Sequence, residues 1–142
     1  MHYYQRGFTI VELSIVIVVI GILASITAVV YSGTQDRSRA ATSESAGMTV
    51  VTKAETAYSA TSQYPTSLTG SSGFDRNPDS SLAGSGITLA SIGTRPNNAQ
   101  TVSYESCGIG ARIGWWDYEN NTLTQKTLGA TCTVYTPVVG TP

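Results

Sequence analysis

The apolar residues of this chain are concentrated in one stretch near the N-terminus. From Phe8 to Val30 the sequence is almost entirely apolar, and Glu12 is its only charged residue. A run of about 20 apolar residues is long enough to cross a bilayer as a helix, and a helix satisfies its own backbone hydrogen bonds there, although Ile and Val dominate this run. An ionised Glu in hydrocarbon costs roughly 2.5–3.5 kcal/mol. Glu12 therefore requires a cationic partner or a function.

The helical pattern continues into a polar segment, residues 32–61. Charged residues there surround one narrow apolar face, whose members recur at helical spacing: Gly47, Val51, Ala54 and Tyr58. We predict a single helix from about Thr9 to Thr61, with a flexure at residues 32–34. Pro65 ends this helix, because the residue before a proline is disfavoured in helical conformation. The apolar face needs a partner, and the C-terminal strands are the expected one.

The C-terminal region alternates with a period of two residues, which is typical of strands. We predict an antiparallel sheet with a turn at residues 119–121. The predicted strands are Thr101–Ser106, Ala111–Tyr118 and Thr122–Leu128. Trp115 and Trp116 then point to opposite faces, one of them toward the helix.

Two further segments are predicted to be irregular. Residues 69–100 form a loop with one short strand or turn, to which the apolar residues Ile87, Leu89 and Ile92 belong. Residues 133–142 contain Pro137, Gly140 and Pro142 and are expected to be a frayed tail, with Val134-Tyr135 as one additional strand.

The amino-acid composition argues against several classes of protein function. The chain has 142 residues, which fits one domain plus a tail, and a formal net charge of −1 with only 12% charged residues. Such a neutral, hydroxyl-rich surface differs from the basic patch of a nucleic-acid-binding protein. The only histidine is His2, which leaves no Ser-His-Asp or Cys-His catalytic set and no histidine zinc site. We predict no enzyme activity, no metal site and no cofactor.

Two local patterns resemble sites, and each has a simpler explanation. Oxygen-bearing side chains recur at every second residue in Asp75–Ser80, as in a calcium loop, but Gly86 stands where a bidentate Glu is expected. We interpret this segment as a polar turn around Pro78. Asn120-Asn121-Thr122 matches a glycosylation sequon, but Asn is also expected in the predicted turn.

The residues at the start of the apolar run carry a family resemblance. Met1–Gly7 is short and polar, without the n-region, h-region and A-x-A site of an ordinary signal peptide. The pattern Gly7-Phe8-Thr9-Ile10-Val11-Glu12 resembles the cleavage motif of type IV prepilins, the class III signal peptide. The resemblance implies cleavage between Gly7 and Phe8, N-methylation of Phe8, and retention of the apolar helix. It also implies that the new amine of Phe8 pairs with Glu12 of a neighbouring subunit.

The same resemblance implies a fold and a division of the chain. The fold class is α+β and pilin-like, with a long N-terminal α-helix packed on a small C-terminal antiparallel sheet. The implied segments are a leader (1–7), a transmembrane and filament-core helix (8–31), an amphipathic helix half (32–64), an αβ loop (65–100) and the sheet region (101–142). Gln63-Tyr64-Pro65 also resembles the end of the long helix in type IV pilins. Val29 stands where the family commonly has a proline, and the flexure at Ser32-Gly33 is an alternative to a proline kink.

The function implied is structural: a pilin that polymerises into a type IV pilus for adhesion, motility or DNA uptake. The implied partners are further copies of the chain, a prepilin peptidase that also methylates, an inner-membrane platform protein and an assembly ATPase. The precursor is expected in the inner membrane and the mature subunit in an extracellular pilus. The sequence leaves open a direct interaction with nucleic acid during DNA uptake.

Cys107 and Cys132 lie in the part of the chain that would be outside the membrane. A disulfide is expected in that oxidising space, where it would stabilise the fold by about 3 kcal/mol on the loop-entropy model. Two free buried thiols are the alternative.

Three other functions share part of this pattern. A minor pilin or a type II secretion pseudopilin would have the same N-terminal features. A membrane-anchored surface binding module would need the apolar span but would tolerate replacement of Glu12.

Overall fold

The computed structural model describes residues 7–140, apart from the side chains of residues 28–32. The predicted leader features at residues 1–6, the replacement of proline by Val29 and the last two residues of the predicted tail therefore lie outside the described part. The chain divides into two compact units, Met1–Gln35 and Asp36–Pro142. The unit boundary falls within one long helix.

Helix α1 comprises Ile10–Thr61, as the hydrophobic pattern predicts. It ends earlier than Pro65 would require. Ser62 adopts a positive φ of 57°, and its N–H donates to the carbonyl of Tyr58 at 2.7 Å. This is the left-handed C-terminal capping bond, which is usually made by glycine. Pro65 follows the cap, at a position where proline is common because it cannot continue a helix.

In the part of the chain that the structure describes, five strands form one mixed sheet. They are β1 Thr88–Leu89, β2 Thr101–Ser106, β3 Gly110–Asp117, β4 Thr122–Gly129 and β5 Thr136–Pro137. The order is β1-β2-β3-β4, and β5 also pairs with β2. The predicted α+β class and the antiparallel β2-β3-β4 meander are confirmed. The prediction of a purely antiparallel sheet missed one pair, since β1 runs parallel to β2.

The core of the second unit lies between the sheet and residues 43–57 of α1. Alternate residues of β2 and β3 turn toward the helix, and they are Val102, Tyr104, Ser106, Ala111, Ile113 and Trp115. The helix contributes Ala46, Val50, Val51, Ala54 and Ala57. The prediction that Tyr58 belongs to this face is wrong, because its side chain is 41% exposed. The helix turns its inner face to Ala57 instead, and the ring of Tyr58 stacks on Tyr64 at 4.6 Å.

A hydrogen bond between Trp116 and Ser43 joins the helix to the sheet directly. The N–H of Trp116 donates to the hydroxyl of Ser43 at 3.2 Å. The pairing of β3 with β2 ends at Trp115, which pairs with Val102. The helix therefore provides an acceptor just beyond the end of that ladder, and Ser43 is fully buried.

The β3–β4 turn is held by the carboxylate of Asp117. It accepts hydrogen bonds from the N–H groups of Glu119 and Asn120, and from the side-chain amide of Asn120 at 2.7 Å. These bonds, led by the Asn120 side chain, lower the pKa of Asp117. Asn121 follows with a positive φ of 54°, which Asn tolerates better than other non-glycine residues. Asn120, the asparagine of the glycosylation sequon, therefore has a structural role in the turn through its hydrogen bonds to Asp117.

The segment predicted to be loop contains more structure than its composition suggests. Two short 3-10 helices cover Phe74–Arg76 and Pro78–Ser80, and Phe74 is fully buried with its ring edge on Tyr104 at 4.9 Å. Within Asp75–Ser80, Asn77 caps the second 3-10 helix through the N–H of Asp79. The hydroxyl of Ser81 donates to Asp75 at 2.7 Å.

The prediction of a frayed tail is wrong for the described residues. The added strand is Thr136–Pro137 rather than Val134-Tyr135, and it lies along β2 beyond the short β1. Val138 enters the core at 5% exposure, and the N–H of Gly140 donates to the carbonyl of Leu89 at 2.8 Å. Proline is tolerated here because it lies in an edge strand.

Candidate functional site

The peptide bond between Gly7 and Phe8 lies outside regular structure. Gly7, Phe8 and Thr9 precede α1 and are not helical. All three are exposed, and the side chain of Phe8 is 88% exposed. The Gly7–Phe8 peptide bond is therefore accessible and non-helical, directly before the helix.

Glu12 lies in the first turn of α1 and forms a capping box with Thr9. The hydroxyl of Thr9 accepts from the N–H of Glu12 at 3.2 Å. In return, Oε2 of Glu12 accepts from the N–H and from the hydroxyl of Thr9, both at 3.3 Å. Such a reciprocal arrangement satisfies two backbone donors that have no partner inside a helix. The negative charge also lies at the positive end of the helix dipole.

The capping role of Thr9 was missed in reasoning from the sequence. The signal was present, since Thr9-Ile10-Val11-Glu12 has the spacing T-x-x-E that defines a capping box.

The surface that follows Glu12 is apolar on every side. None of the span Ile10–Thr27 is buried, and this helix is long and apolar enough to cross a membrane. Twelve of its residues are exposed large apolar side chains. Each would gain about 1.5–3 kcal/mol from full burial, so the segment requires a bilayer or a protein partner around it.

The few polar side chains of this span are satisfied locally. The hydroxyls of Ser14, Ser25 and Thr27 donate to carbonyls of the preceding turn at 2.7–2.8 Å. These hydroxyls therefore add little cost in an apolar environment. Glu12 is the one ionisable group in the span Ile10–Thr27.

The predicted site residues fall in different units. Gly7, Phe8 and Glu12 lie together in the first unit. Cys107 and Cys132 lie in the second, where they form a disulfide with their Cα atoms 6.3 Å apart. The bond connects the residue after β2 to the segment after β4, and the N–H of Cys107 donates to the carbonyl of Gly110 at 3.0 Å. Between residues 7 and 140, no three His, Cys, Asp or Glu side chains are grouped to hold a metal ion.

Comparison with known proteins identifies the N-terminal segment. Residues 3–28 match the family described as the prokaryotic N-terminal methylation motif. No curated protein and no solved structure matches the chain. The matched residues include Gly7, Phe8, the Thr9–Glu12 capping box and the apolar helix.

The matched motif is the class III signal peptide of type IV pilins. Together with the α+β fold, the motif supports a type IV pilin-like or pseudopilin precursor. The motif indicates a structural subunit that is processed by prepilin peptidase and the associated assembly machinery. A prepilin leader followed by an apolar helix also indicates insertion into a membrane before assembly.

Proposed function

We propose that this chain is the structural subunit of a type IV pilus, which polymerises through its N-terminal helix into a cell-surface filament. The observation that carries the proposal is the combination of a methylation motif with an apolar helix that is exposed on all sides over Ile10–Thr27. A subunit with such a helix needs a bilayer before assembly and other copies of the same helix afterwards.

The chain then has the five segments that the resemblance implies, and processing removes the first of them. The leader is residues 1–7, and the peptidase cuts between Gly7 and Phe8 and then methylates the amine of Phe8. Residues 8–31 form the membrane span and later the filament core, and residues 32–64 are the amphipathic continuation. The αβ loop is residues 65–100, and the sheet region with Cys107 and Cys132 is residues 101–142. The remaining partners are an inner-membrane platform protein and an assembly ATPase.

Glu12 directs the register of assembly in this proposal. Cleavage creates a cationic amine on Phe8, and the Glu12 carboxylate of a neighbouring subunit is its complement. Two unit charges 4 Å apart attract by about 1 kcal/mol in water and about 4 kcal/mol at an effective dielectric constant of 20. An apolar helix bundle can slide, because van der Waals contacts alone have little preference for one axial position. The ion pair supplies that preference, and the small residues Gly21 and Ala24 allow the helices to approach closely.

The first test is mass spectrometry of the N-terminus, on sheared surface material and on membranes. We expect N-methylated Phe8 as the first residue in the sheared fraction. An intact Met1 terminus found only in membranes would contradict the proposal and support a membrane-anchored binding module. Low abundance of the processed chain in sheared filaments would instead favour a minor pilin or a pseudopilin.

A second test is Glu12→Ala. We expect this variant to remain in the membrane but to give few or disordered filaments. Glu55→Ala is the matched control, since Glu55 is an exposed carboxylate on the same helix outside the apolar span. Normal filaments from the Glu12→Ala variant would show that the carboxylate is dispensable, as expected of a simple membrane anchor.

A further inference from the structure

A cleft lies between α1 and the β3–β4 hairpin, entirely within the second unit. Its volume is about 230 Å³, which is several times the share of liquid volume that one water molecule occupies. The residues that line it come from the helix, from β3 and its turn, and from β4: Ala40, Glu44, Trp115, Asp117, Glu119 and Thr124. The cleft therefore has room for a ligand the size of a single ring.

Trp115 is the buried residue of this cleft, and its side chain is only 8% exposed. Its indole N–H has no hydrogen-bond partner among the described residues. Two other buried polar atoms of the described residues lack both a partner and access to solvent, and they belong to Tyr104 and Trp116. The N–H of Trp115 differs from them because it reaches accessible space, and the cleft is the space that this residue lines. A buried tryptophan N–H usually has a partner, so this donor indicates an acceptor that the chain does not supply.

The three carboxylates of the cleft differ in their bonding. Asp117 accepts the hydrogen bonds that hold the β3–β4 turn. Glu119 forms an ion pair with Arg37 at 3.4 Å. Glu44 is exposed, and within residues 7–140 it has neither a hydrogen bond nor an ion pair. Glu44 is therefore the carboxylate of the cleft that is available to a cation.

The free groups of Glu44 and Trp115 require different chemistry from one ligand. A carboxylate accepts hydrogen bonds and attracts positive charge, whereas an indole N–H only donates. The ligand must therefore combine a cationic donor with an oxygen acceptor. A phosphate or carboxylate oxygen would be repelled by the surrounding carboxylates, which leaves a neutral oxygen such as a hydroxyl. A metal ion supplies no acceptor, and in the described part of the chain no three His, Cys, Asp or Glu side chains are grouped to hold one.

We propose that this cleft binds a small organic cation that carries an ammonium group and hydroxyl oxygens on one ring, as an amino sugar does. The ammonium group pairs with Glu44, and a hydroxyl oxygen accepts from the indole N–H of Trp115. The exposed hydroxyl of Thr124, which has no partner among the described residues, provides a further donor or acceptor. The inference does not depend on the proposed pilus role, because the cleft lies within one folded unit.

The test compares three single-ring probes on the full chain in detergent. Glucosamine carries both an ammonium group and hydroxyls, glucose carries only hydroxyls, and cyclohexylamine carries only the ammonium group. Binding is followed by the NMR resonances of the two indole N–H groups, at a slightly acidic pH where the amino group of glucosamine is protonated. We expect glucosamine to bind at least tenfold more tightly than either other probe. It should shift the indole N–H resonance of Trp115 and leave that of Trp116 unchanged.

Two variants and a control test the residues. Glu44→Gln keeps the shape of the side chain and removes its charge. It should weaken glucosamine binding about tenfold, a factor typical of losing a hydrogen bond to a charged group, and leave glucose binding unchanged. Trp115→Phe removes the N–H and should also weaken glucosamine binding. Glu55→Gln is the matched control, since Glu55 is an exposed carboxylate of α1 that does not line the cleft.

Four results would overturn the inference. If glucosamine does not shift the Trp115 resonance, the cleft does not bind it. Equal binding of glucose would mean that the charge of Glu44 is not used, and equal binding of cyclohexylamine would mean that the N–H of Trp115 is not used. Equal losses in Glu44→Gln and Glu55→Gln would mean that general charge attraction, rather than this cleft, holds the probe. Glu44→Gln keeps the test decisive if Trp115→Phe fails to fold, because Glu44 is exposed.

Discussion

Gly47 of α1 lies directly against the indole ring of Trp115 of β3. A Cβ atom on Gly47 would stand 2.6 Å from Cδ2 and 2.9 Å from Cγ of that ring, which is closer than real Cβ atoms approach. Both residues are buried. The absence of a side chain at this one position sets how closely the helix approaches the sheet.

Gly47→Ala should therefore destabilise the chain, although alanine favours helix. Overpacking a buried contact costs typically about 1–3 kcal/mol, which exceeds the gain of about 1 kcal/mol from replacing a helical glycine. We expect the Tm of the detergent-solubilised chain to fall by several degrees, measured by tryptophan fluorescence, because both tryptophans lie in β3. Gly33→Ala is the control, since nothing lies within 4 Å of a Cβ at that helical glycine. A Tm that rises equally in both variants would contradict the Gly47–Trp115 contact.

The C-terminal segment should contribute to stability through Val138. Val138→Ala removes two buried methyl groups, and we expect a loss of about 1.5–3 kcal/mol in the free energy of unfolding. Val134→Ala makes the same chemical change on a side chain that is 73% exposed, and should change stability by less than about 0.5 kcal/mol. Denaturant unfolding of both variants compares the two sites. Equal, small effects would mean that the tail is frayed, as its composition suggests.

Loss of the disulfide should loosen the end of the sheet. The bond closes a loop with a sequence separation of 25 residues, and the loop-entropy model assigns about 3 kcal/mol to a ring of this size. We expect the Cys107→Ser, Cys132→Ser double variant to unfold at a lower temperature than the oxidised chain. Reductant should lower the Tm of the unsubstituted chain and leave that of the double variant unchanged. If reductant changes neither, the disulfide does not stabilise the folded state.

Alkaline pH should destabilise the second unit through its buried tyrosines. Burial raises the pKa of Tyr104, and also that of Tyr64 and Tyr118, above the ordinary value of 10.0. A raised folded-state pKa means that the stabilisation is fully present below pH 10, where both states are protonated. It is lost as the pH rises from there toward the folded-state pKa, because the unfolded chain ionises first.

Denaturant unfolding between about pH 9 and 11 measures this effect. The free energy of unfolding should fall with rising pH, and Tyr104→Phe should make the fall shallower, since phenylalanine cannot ionise. An equally steep fall in Tyr104→Phe would assign the alkaline transition to other groups.

The long helix, the three-strand meander and the N-terminal signal could all be predicted from local patterns. Helices and strands impose periods of 3.6 and 2 residues on any buried face, and the run from Phe8 to Val30 allows only one arrangement in a bilayer. The methylation motif is likewise a contiguous stretch, so its recognition needed no tertiary information. The T-x-x-E spacing of Thr9 and Glu12 was also readable, but its meaning depended on where the helix begins.

The remaining features depend on contacts between residues far apart in the chain. Phe74 and Val138 stand in segments rich in Gly, Pro and Ser, and only the open edge of β2 and the space beside Tyr104 make them core residues. Tyr58 has the right helical spacing to face the sheet, yet Ala57 takes the buried position and Tyr58 is exposed, with its ring stacked on Tyr64. Nothing near Gly47 in the sequence requires a glycine, because the ring that excludes a side chain there comes from Trp115 across the core. Periodicity can be read from residues that are neighbours in the sequence. Close packing depends on side chains that are far apart in the sequence and come into contact only in the folded structure.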